Sequence, residues 1–280
     1  TSTAAGRHGA QGIERDMKLS VYTAAKDGIA QDLHIEAMLR HHLPLADEIV
    51  VNEGYSGDDT YERITRIDPK IKVFRSEWEK PKDIAWCVGF KEASRKACTG
   101  DWCIHLDSDE FIPEWEFAAI RKHLEATDDV MVPTRFVNFY ANYRVYHAKP
   151  EKVHWPARKM NIHRNLPEIE FWGDGSNVRL RGHDFAWSTS QAEFTVHHFG
   201  MVRDPGILRP KGWIQGRAVT GRPARFQPPG WVFRMFPHDW RDPQFYADLA
   251  IYEGEDIDAV RNDPKEFTRD GMKLLRELKA

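Results

Sequence analysis

Hydrophobic and polar residues in the first half of the chain alternate with two different periods. Positions 35, 38, 39 and 42 follow the spacing of one helix face, and short apolar runs lie between such stretches. The pattern predicts helices near 35–42, 58–67, 86–97 and 114–124, and strands at 19–23, 48–51, 71–75, 102–106 and 130–133. This alternation predicts an α/β fold with a mainly parallel, Rossmann-like sheet and helices on both faces.

Two features complete the predicted organisation. In the third helix, positions 86, 90, 93 and 97 form the expected buried face. The second half is rich in Trp, His, Arg, Pro and Gly, with strand-like segments at 135–146, 158–163 and 194–199 and helical periodicity from residue 264 onward. We expect a flexible segment at 1–16, an α/β half at 17–133, and a C-terminal extension of the same domain at 134–280.

Four polar loops follow the predicted strands, at 24–28, 52–59, 76–83 and 107–110. In open α/β sheets, ligands bind beyond the carboxyl ends of the strands, where such loops converge. These loops therefore predict the functional edge of the sheet. In the second loop, Asp59 and Glu62 also have the spacing of a capping box, which would explain them without a ligand.

The last of these loops carries the strongest chemical signal. The apolar run WCIHL ends in Asp107, Ser108, Asp109 and Glu110. Carboxylate oxygens suit hard divalent ions such as Mg²⁺ and Mn²⁺, which commonly hold a diphosphate. The alternative is that these residues cap the next helix, as Glu110 could, or face water.

Composition excludes several classes of protein. A chain of 280 residues can bury a full core, and its formal charge of -3 does not favour a nucleic-acid partner. The three cysteines lack metal-type spacing, which fits a reducing compartment. No apolar run approaches the roughly 20 residues of a membrane span, and residues 1–16 contain no signal region. We expect a cytoplasmic protein, or part of a longer one, with association at the inner face of the membrane left open.

Five segments between residues 18 and 211 read SVYTAAKDG, IVVNEGYSGDDT, TGDW, LDSDE and HHFGMVRDP. Their order and spacing resemble those of the family 2 glycosyltransferases of the GT-A fold. The resemblance implies transfer of a sugar from a nucleotide-diphosphate donor, a UDP-sugar first, to a glycan or lipid-linked acceptor in polysaccharide biosynthesis. It also implies inversion and dependence on Mn²⁺ or Mg²⁺. The half at 17–133 would bind the nucleotide sugar, and the half at 134–280 would face the acceptor.

The resemblance also assigns the nucleotide site. Glu53 stands where the family normally carries an Asp that recognises the base. The other residues implied to contact the nucleotide are Thr23, Ala24, Lys26, Asp83, Asp107, Ser108 and Lys211. For Lys26 the alternative is an ordinary solvated lysine.

The metal assignment rests on the acidic motif and one histidine. Asp109 would be the direct ligand, and Asp107 would reach toward the ribose or a metal-bound water. Of His197 and His198, which alternate across a strand, we favour His198 as the further ligand. Arg203 and Lys211 would neutralise the leaving diphosphate, or they are surface charges.

The acceptor side needs a base to remove a proton from the attacking hydroxyl. Asp174, in EIEFWGDG, is the first candidate and Glu170 the second. The alternative for Gly-Asp-Gly is a tight turn. Trp172, beside the proposed base, would stack on an acceptor sugar. The basic and aromatic residues of 209–241 are compatible with a lid, a dimer surface or a contact with an anionic lipid-linked acceptor.

Two other functions remain open from the sequence. A sugar nucleotidyltransferase would share the architecture, but TAAKDG lacks the Gly-rich loop that such an enzyme normally carries after its first strand. A non-enzymatic glycan-binding module would use the acidic motif to hold a structural Ca²⁺ and its tryptophans as a platform.

Overall fold

A computed structural model describes residues 16–78, 85–150, 157–183, 190–203, 247–261 and 276. The described helices are α1 (Ile35–His42), α2 (Thr60–Ile64), α3 (Val88–Lys96), α4 (Phe117–Ala126) and α5 (Asp258–Arg261), with a 3₁₀ turn at Glu114–Glu116. The described strands are β1 (Leu19–Ala25), β2 (Glu48–Glu53), β3 (Ile71–Arg75), β4 (Trp102–His105), β5 (Glu110–Phe111), β6 (Met131–Tyr140), β7 (Val145–His147), β8 (Arg158–Arg164), β9 (Ile169–Trp172), β10 (Asn177–Leu180), β11 (Phe194–Met201) and β12 (Leu249–Ile251). The predicted segment at 1–16, apart from Asp16, and the helix beyond residue 264, apart from Arg276, lie outside the described residues.

The main sheet has the order β12-β7-β6-β8-β4-β1-β2-β3, and β11 pairs with both β6 and β5. Strands β1 to β3 and β4 are paired in parallel. Strand β8 is antiparallel to both β4 and β6, so β6 again runs in the direction of β4. Strands β11 and β12 share that direction, whereas β5 and β7 oppose it. The prediction of a mainly parallel α/β sheet is therefore confirmed.

Helices cover both faces of this sheet because alternate residues of its strands point to opposite sides. Val21 of β1 packs in one core cluster with residues of α1, α2 and α4. Tyr22, the next residue, packs in a second cluster with Val88 of α3 and Phe171 of β9. The hairpin of β9 and β10 thus lies on the same face as α3.

Helix α1 agrees with its sequence pattern, and α3 does not. Ile35, Met38, Leu39 and His42 are all buried, as their spacing predicts. In α3 the buried residues are Phe90, Lys91, Ser94 and Arg95, so the predicted face at 86, 90, 93 and 97 is wrong apart from Phe90. Lys91 and Arg95 are buried because they bond to Gly175 and Leu166 elsewhere in the fold, and apolar periodicity carries no signal for that.

The capping box predicted for Asp59 and Glu62 is also wrong. Asp59 precedes α2 but makes no side-chain hydrogen bond to the helix. Asp58 caps the start of α2 instead, because its Oδ1 accepts bonds from the amide (3.0 Å) and hydroxyl (2.5 Å) of Thr60. Its Oδ2 accepts a bond from the Ala30 amide at 2.8 Å, which ties the loop after β1 to the loop after β2.

Two further observations concern the extent of the fold. Strand β6 runs without interruption past residue 133, so the two halves share a strand. In the described part of the chain, no helix is both long enough and apolar enough to cross a membrane.

Candidate active site

The acidic motif lies where β4 ends and a tight turn leads into β5. Strand β5 pairs with β11 so that Glu110 lies opposite His198. The Phe199 amide donates to the Asp109 carbonyl at 2.8 Å. This pairing brings the histidines, about 90 residues later in the chain, beside the carboxylates at the carboxyl edge of the parallel strands.

Each carboxylate of the motif has its own cation. The pairs are Asp107 with Lys91 at 2.6 Å, Asp109 with Arg203, and Glu110 with Lys159 at 2.5 Å. Glu110 therefore does not cap the following helix, since it is fully buried in β5 and bonded to Lys159. Arg203 is buried against Asp109, so the alternative that it is a surface charge is wrong.

These pairs shift the ionisation of their members. Burial alone would raise the pKa of Asp107, but Lys91, His105 and Lys159 together outweigh it and hold that pKa well below its usual range. Burial opposes the charge of Lys159, yet the carboxylates of Glu110 and Asp107 raise its pKa. His105 is buried next to this cluster, and desolvation together with Lys91 lowers its pKa well below the ordinary value.

Asp109 and His198 form the arrangement that best fits a metal ion. His198 Nε2 lies 3.7 Å from Asp109 Oδ1, while its Nδ1 lies 2.8 Å from Asn138 Oδ1. A donor bond from Nδ1 to Asn138 leaves the Nε2 lone pair directed toward the carboxylate. A Cβ at Gly200 would lie 2.5 Å from that Nε2 and 3.3 Å from Asp109 Oδ2, so glycine keeps this space open.

His197 points away from this arrangement. It is buried near Phe139, and its Nε2 lies 3.1 Å from the Tyr252 hydroxyl. The described residues contain no group of three or more His, Cys, Asp and Glu side chains that could hold a metal ion. A metal bound by Asp109 and His198 would therefore need further ligands beyond the described side chains.

The predicted nucleotide residues differ in exposure. Thr23 is buried on β1, and its hydroxyl has no hydrogen-bond partner among the described residues. Ala24 and Lys26 follow it and are partly exposed, whereas Ser108 is buried in the turn of the acidic motif. Asp83 and Lys211 lie outside the described residues.

Glu53 cannot act as predicted, because its carboxylate is enclosed. The residue is 0% exposed and accepts bonds from the amides of Tyr55 (3.2 Å) and Ser56 (2.6 Å). Arg75 Nε also donates to it at 2.6 Å. The assignment of Glu53 to base recognition is therefore wrong in this structure, and its carboxylate instead holds the loop after β2.

That loop presents an aromatic residue that the sequence analysis missed. Tyr55 is 47% exposed, and the Arg75 guanidinium lies 4.5 Å from its ring centre and from that of Tyr61. The signal was an aromatic residue directly after Gly54 in a predicted ligand loop. Lys91 and Lys159 were missed too, and for Lys159 the sequence around it carries no signal of an acidic partner 49 residues away.

The acceptor-side candidates lie on the hairpin of β9 and β10. Asp174 is exposed in its turn, and its Oδ1 accepts bonds from the Ser176 amide (2.9 Å) and hydroxyl (2.5 Å). The flanking residues Gly173 and Gly175 have φ of 64° and 75°, so the tight turn expected as the alternative is present. Trp172, directly before the turn, is 40% exposed.

The hairpin turn is attached to the acidic motif through α3. Lys91 Nζ donates both to Asp107 Oδ1 (2.6 Å) and to the Gly175 carbonyl (3.1 Å). Cys87 Sγ also donates to the Asp174 carbonyl at 2.7 Å. Asp174 and the acidic motif, more than 60 residues apart in sequence, are thus brought together on one helix end.

Glu170 is engaged elsewhere. Its carboxylate bonds to Arg179 (2.8 Å) and Arg181 (3.3 Å) on the neighbouring strand and its end. The hydrogen bond from Arg179 is the main reason that the pKa of Glu170 is lowered. A carboxylate held ionised by two guanidinium groups is a poor proton acceptor.

Residues 35–181, just over half of the chain, match the family model described as glycosyl transferase family 2. Among solved structures, S. aureus TarS (residues 1–349) is similar with a TM-score of 0.43 and 12% identity, over 83% of this chain and 79% of that one.

Two other solved structures are also similar. A mycobacterial protein has a TM-score of 0.45 and 17% identity over 72% of each chain. The glucosyl-3-phosphoglycerate synthase of Mycobacterium tuberculosis, solved with Mn²⁺, UDP and phosphoglyceric acid, has a TM-score of 0.32 and 21% identity, over 44% of this chain and 43% of that one. None of the curated proteins matches the sequence.

Proposed function

The chain belongs to glycosyl transferase family 2, and from that premise we propose that it moves a sugar from a nucleoside diphosphate to a hydroxyl group of a glycan or lipid-linked acceptor, with inversion. Its mainly parallel α/β sheet is of the GT-A type. The observation that carries the proposal is the Asp109 and His198 pair at the carboxyl edge of that sheet, beside Asp107.

Asp109 and His198 would hold Mn²⁺ or Mg²⁺ in this proposal. The fit rests on the two donor atoms 3.7 Å apart and on the space that Gly200 leaves beside them. When bound, the ion would act as a Lewis acid toward the departing diphosphate. Asn138 keeps the His198 ring oriented, and Arg203 holds the second oxygen of Asp109.

The nucleotide would lie along the loops after β1 and β4. Thr23 and Ala24 lie at the end of β1, Lys26 lies in the loop that follows it, and Asp107 and Ser108 belong to the loop after β4. We take UDP as the first nucleotide to test. Glu53 is left out of this part of the proposal because its carboxylate is buried and bonded to its own loop.

Asp174 would act as the general base. It would take the proton from the acceptor hydroxyl as that oxygen attacks the anomeric carbon, and the bond from the sugar to the diphosphate would break. Support comes from its exposure and from the attachment of its turn to Asp107 through Lys91. Trp172 would stack against the acceptor sugar, since its ring is partly exposed directly before this turn.

A thermal-shift screen of UDP, GDP, CDP and ADP, their sugars and the corresponding triphosphates, each with Mn²⁺, Ca²⁺ or EDTA, tests this function. We expect one nucleoside diphosphate to raise the melting temperature, and Mn²⁺ to increase the shift. A larger shift with an intact nucleoside triphosphate would indicate a nucleotidyltransferase. A shift with Ca²⁺ and none with any nucleotide would contradict the proposal and indicate a glycan-binding module.

A further inference from the structure

The acidic motif is balanced by cations from three different parts of the fold. Lys91 comes from α3, Lys159 from β8, and Arg203 from the residues after β11. We call these residues the three buried cations, since each is less than one-tenth exposed. Their partners are the carboxylates of Asp107, Asp109 and Glu110.

Without these partners the motif would repel a diphosphate. Three carboxylates within four residues carry three negative charges, and charges shielded from water interact more strongly than exposed ones. A metal ion is the usual means of overcoming such repulsion. Here the formal charges of the carboxylates and of the three buried cations already cancel, before any ion is added.

Two details make the balanced motif suitable for an anion. The pair formed by Asp107 and Lys91 reaches the surface, since the Asp107 side chain is 32% exposed. Arg203 Nε is buried and has no hydrogen-bond acceptor among the described residues. A buried donor without an acceptor is costly, so the guanidinium keeps one donor that an oxygen of an incoming anion could satisfy.

We propose that the three buried cations let this site bind a nucleoside diphosphate before any metal ion is present. The metal then strengthens a complex that already forms. This inference rests on the proposed function, because it concerns the same donor site.

Isothermal titration of the full chain with UDP, in EDTA and in Mn²⁺, tests the inference. We expect measurable binding in EDTA, weaker than in Mn²⁺ by about 10- to 100-fold, since only the repulsion has been removed. Binding in Mn²⁺ with none in EDTA at millimolar UDP would overturn the inference and leave the proposed function standing. No binding of UDP in either condition would contradict both the inference and the proposed function with UDP as the donor nucleotide.

Two substitutions should move the metal-free affinity in opposite directions. Asp109→Asn removes a negative charge and should tighten UDP binding in EDTA about threefold or more, because the site gains net positive charge. Arg203→Met should weaken it about tenfold. If the pair of Asp109 and Arg203 only stabilised the fold, UDP binding would be weaker in both variants, and that result would overturn the inference.

Controls separate charge from folding. Arg203→Lys keeps the charge and should retain most of the metal-free affinity. Lys96→Met removes a cation from the same helix as Lys91, but Lys96 is 68% exposed and should have no effect. Asparagine is used at position 109 because alanine would leave buried Arg203 without its partner. If Arg203→Met does not fold, the Asp109→Asn variant alone tests the inference: tighter UDP binding in EDTA supports it, and weaker binding overturns it.

Discussion

At the scale of single residues, Asp174 has two roles that substitution can separate. Its Oδ1 closes the hairpin turn on Ser176, and its carboxylate is the proposed base. Asp174→Asn keeps an acceptor oxygen for the turn but loses the basicity. We expect donor turnover to fall by about 10²-fold or more while the Kd for the donor nucleotide stays near that of the wild type.

The matched control for this prediction is Ser176→Ala. It removes the hydroxyl bond to Asp174 and leaves the carboxylate in place. Initial rates with the donor found by the thermal-shift screen should then fall only a few-fold, by an amount typical of one lost exposed hydrogen bond. An equal loss in the two variants would assign Asp174 to the turn alone.

Single residues also show what the sequence could and could not predict. Asp109 and His198 were named from their motifs, and the pairing of β5 with β11 brings them together. Lys91 and Lys159 could not be named this way, because Lys159, for example, reaches Glu110 only through the position of β8 in the sheet. Glu53 failed for a similar reason, since its donors become evident only when the loop is folded.

At the scale of elements, the position of the β9–β10 hairpin depends on its close packing against α3. Gly175 has a φ of 75°, and a Cβ there would lie 2.7 Å from Cys87 Sγ. Gly175→Ala should therefore lower the free energy of unfolding by about 1–2 kcal/mol from backbone strain alone. It should also lower donor turnover, because the turn that carries Asp174 would shift away from α3.

Urea denaturation and initial rates check this prediction. Cys87→Ala removes the sulfur atom that the new methyl group would meet, and with it the bond to the Asp174 carbonyl. The double variant should therefore recover turnover to the level of Cys87→Ala alone, while the cost of the positive φ remains. Turnover that stays low in the double variant, or that does not fall in Gly175→Ala, would contradict the proposed dependence of turnover on the packing of the hairpin against α3.

Elements differ in how well their patterns predicted them. Helix α1 has one apolar face against the sheet, so periodicity alone located its four buried residues. Helix α3 buries Lys91 and Arg95, whose bonds to Gly175 and Leu166 are tertiary. Burial that depends on polar partners leaves no apolar period, and the predicted face of α3 was wrong for that reason.

At the scale of the whole molecule, the parallel centre of the sheet was predictable and its antiparallel part was not. Strands β1 to β4 alternate with helices at short, regular intervals, which the chain pattern shows directly. Strand β8 inserts between β4 and β6, where Trp102 pairs with Arg164. No local pattern encodes a pairing across 62 residues, although the strand itself was predicted.

Stability as a function of pH is a property of the whole fold, and four buried histidines should dominate it. Burial lowers the pKa of His42 to about 3, lowers those of His163 and His197 to about 4, and lowers that of His105 well below its ordinary value. In the unfolded chain each would titrate near 6.5. Between pH 6.5 and about 4 the unfolded state therefore binds protons that the native state does not, so stability must fall as the pH falls.

We expect the free energy of unfolding, from urea denaturation at pH 7, 6 and 5, to decrease by up to about 1.4 kcal/mol per pH unit for each histidine. His42→Asn should remove about one quarter of that slope, because four buried histidines share it. Glu48 is the control, because hydrogen bonds and Lys72 outweigh its burial and lower its pKa to about 2. Its contribution is lost only as the pH falls from about 4.5 to 2, so Glu48→Gln should lower stability at all three pH values without changing the slope. Equal stability of the wild type at pH 7 and pH 5 would show that these histidines are not held neutral by the fold.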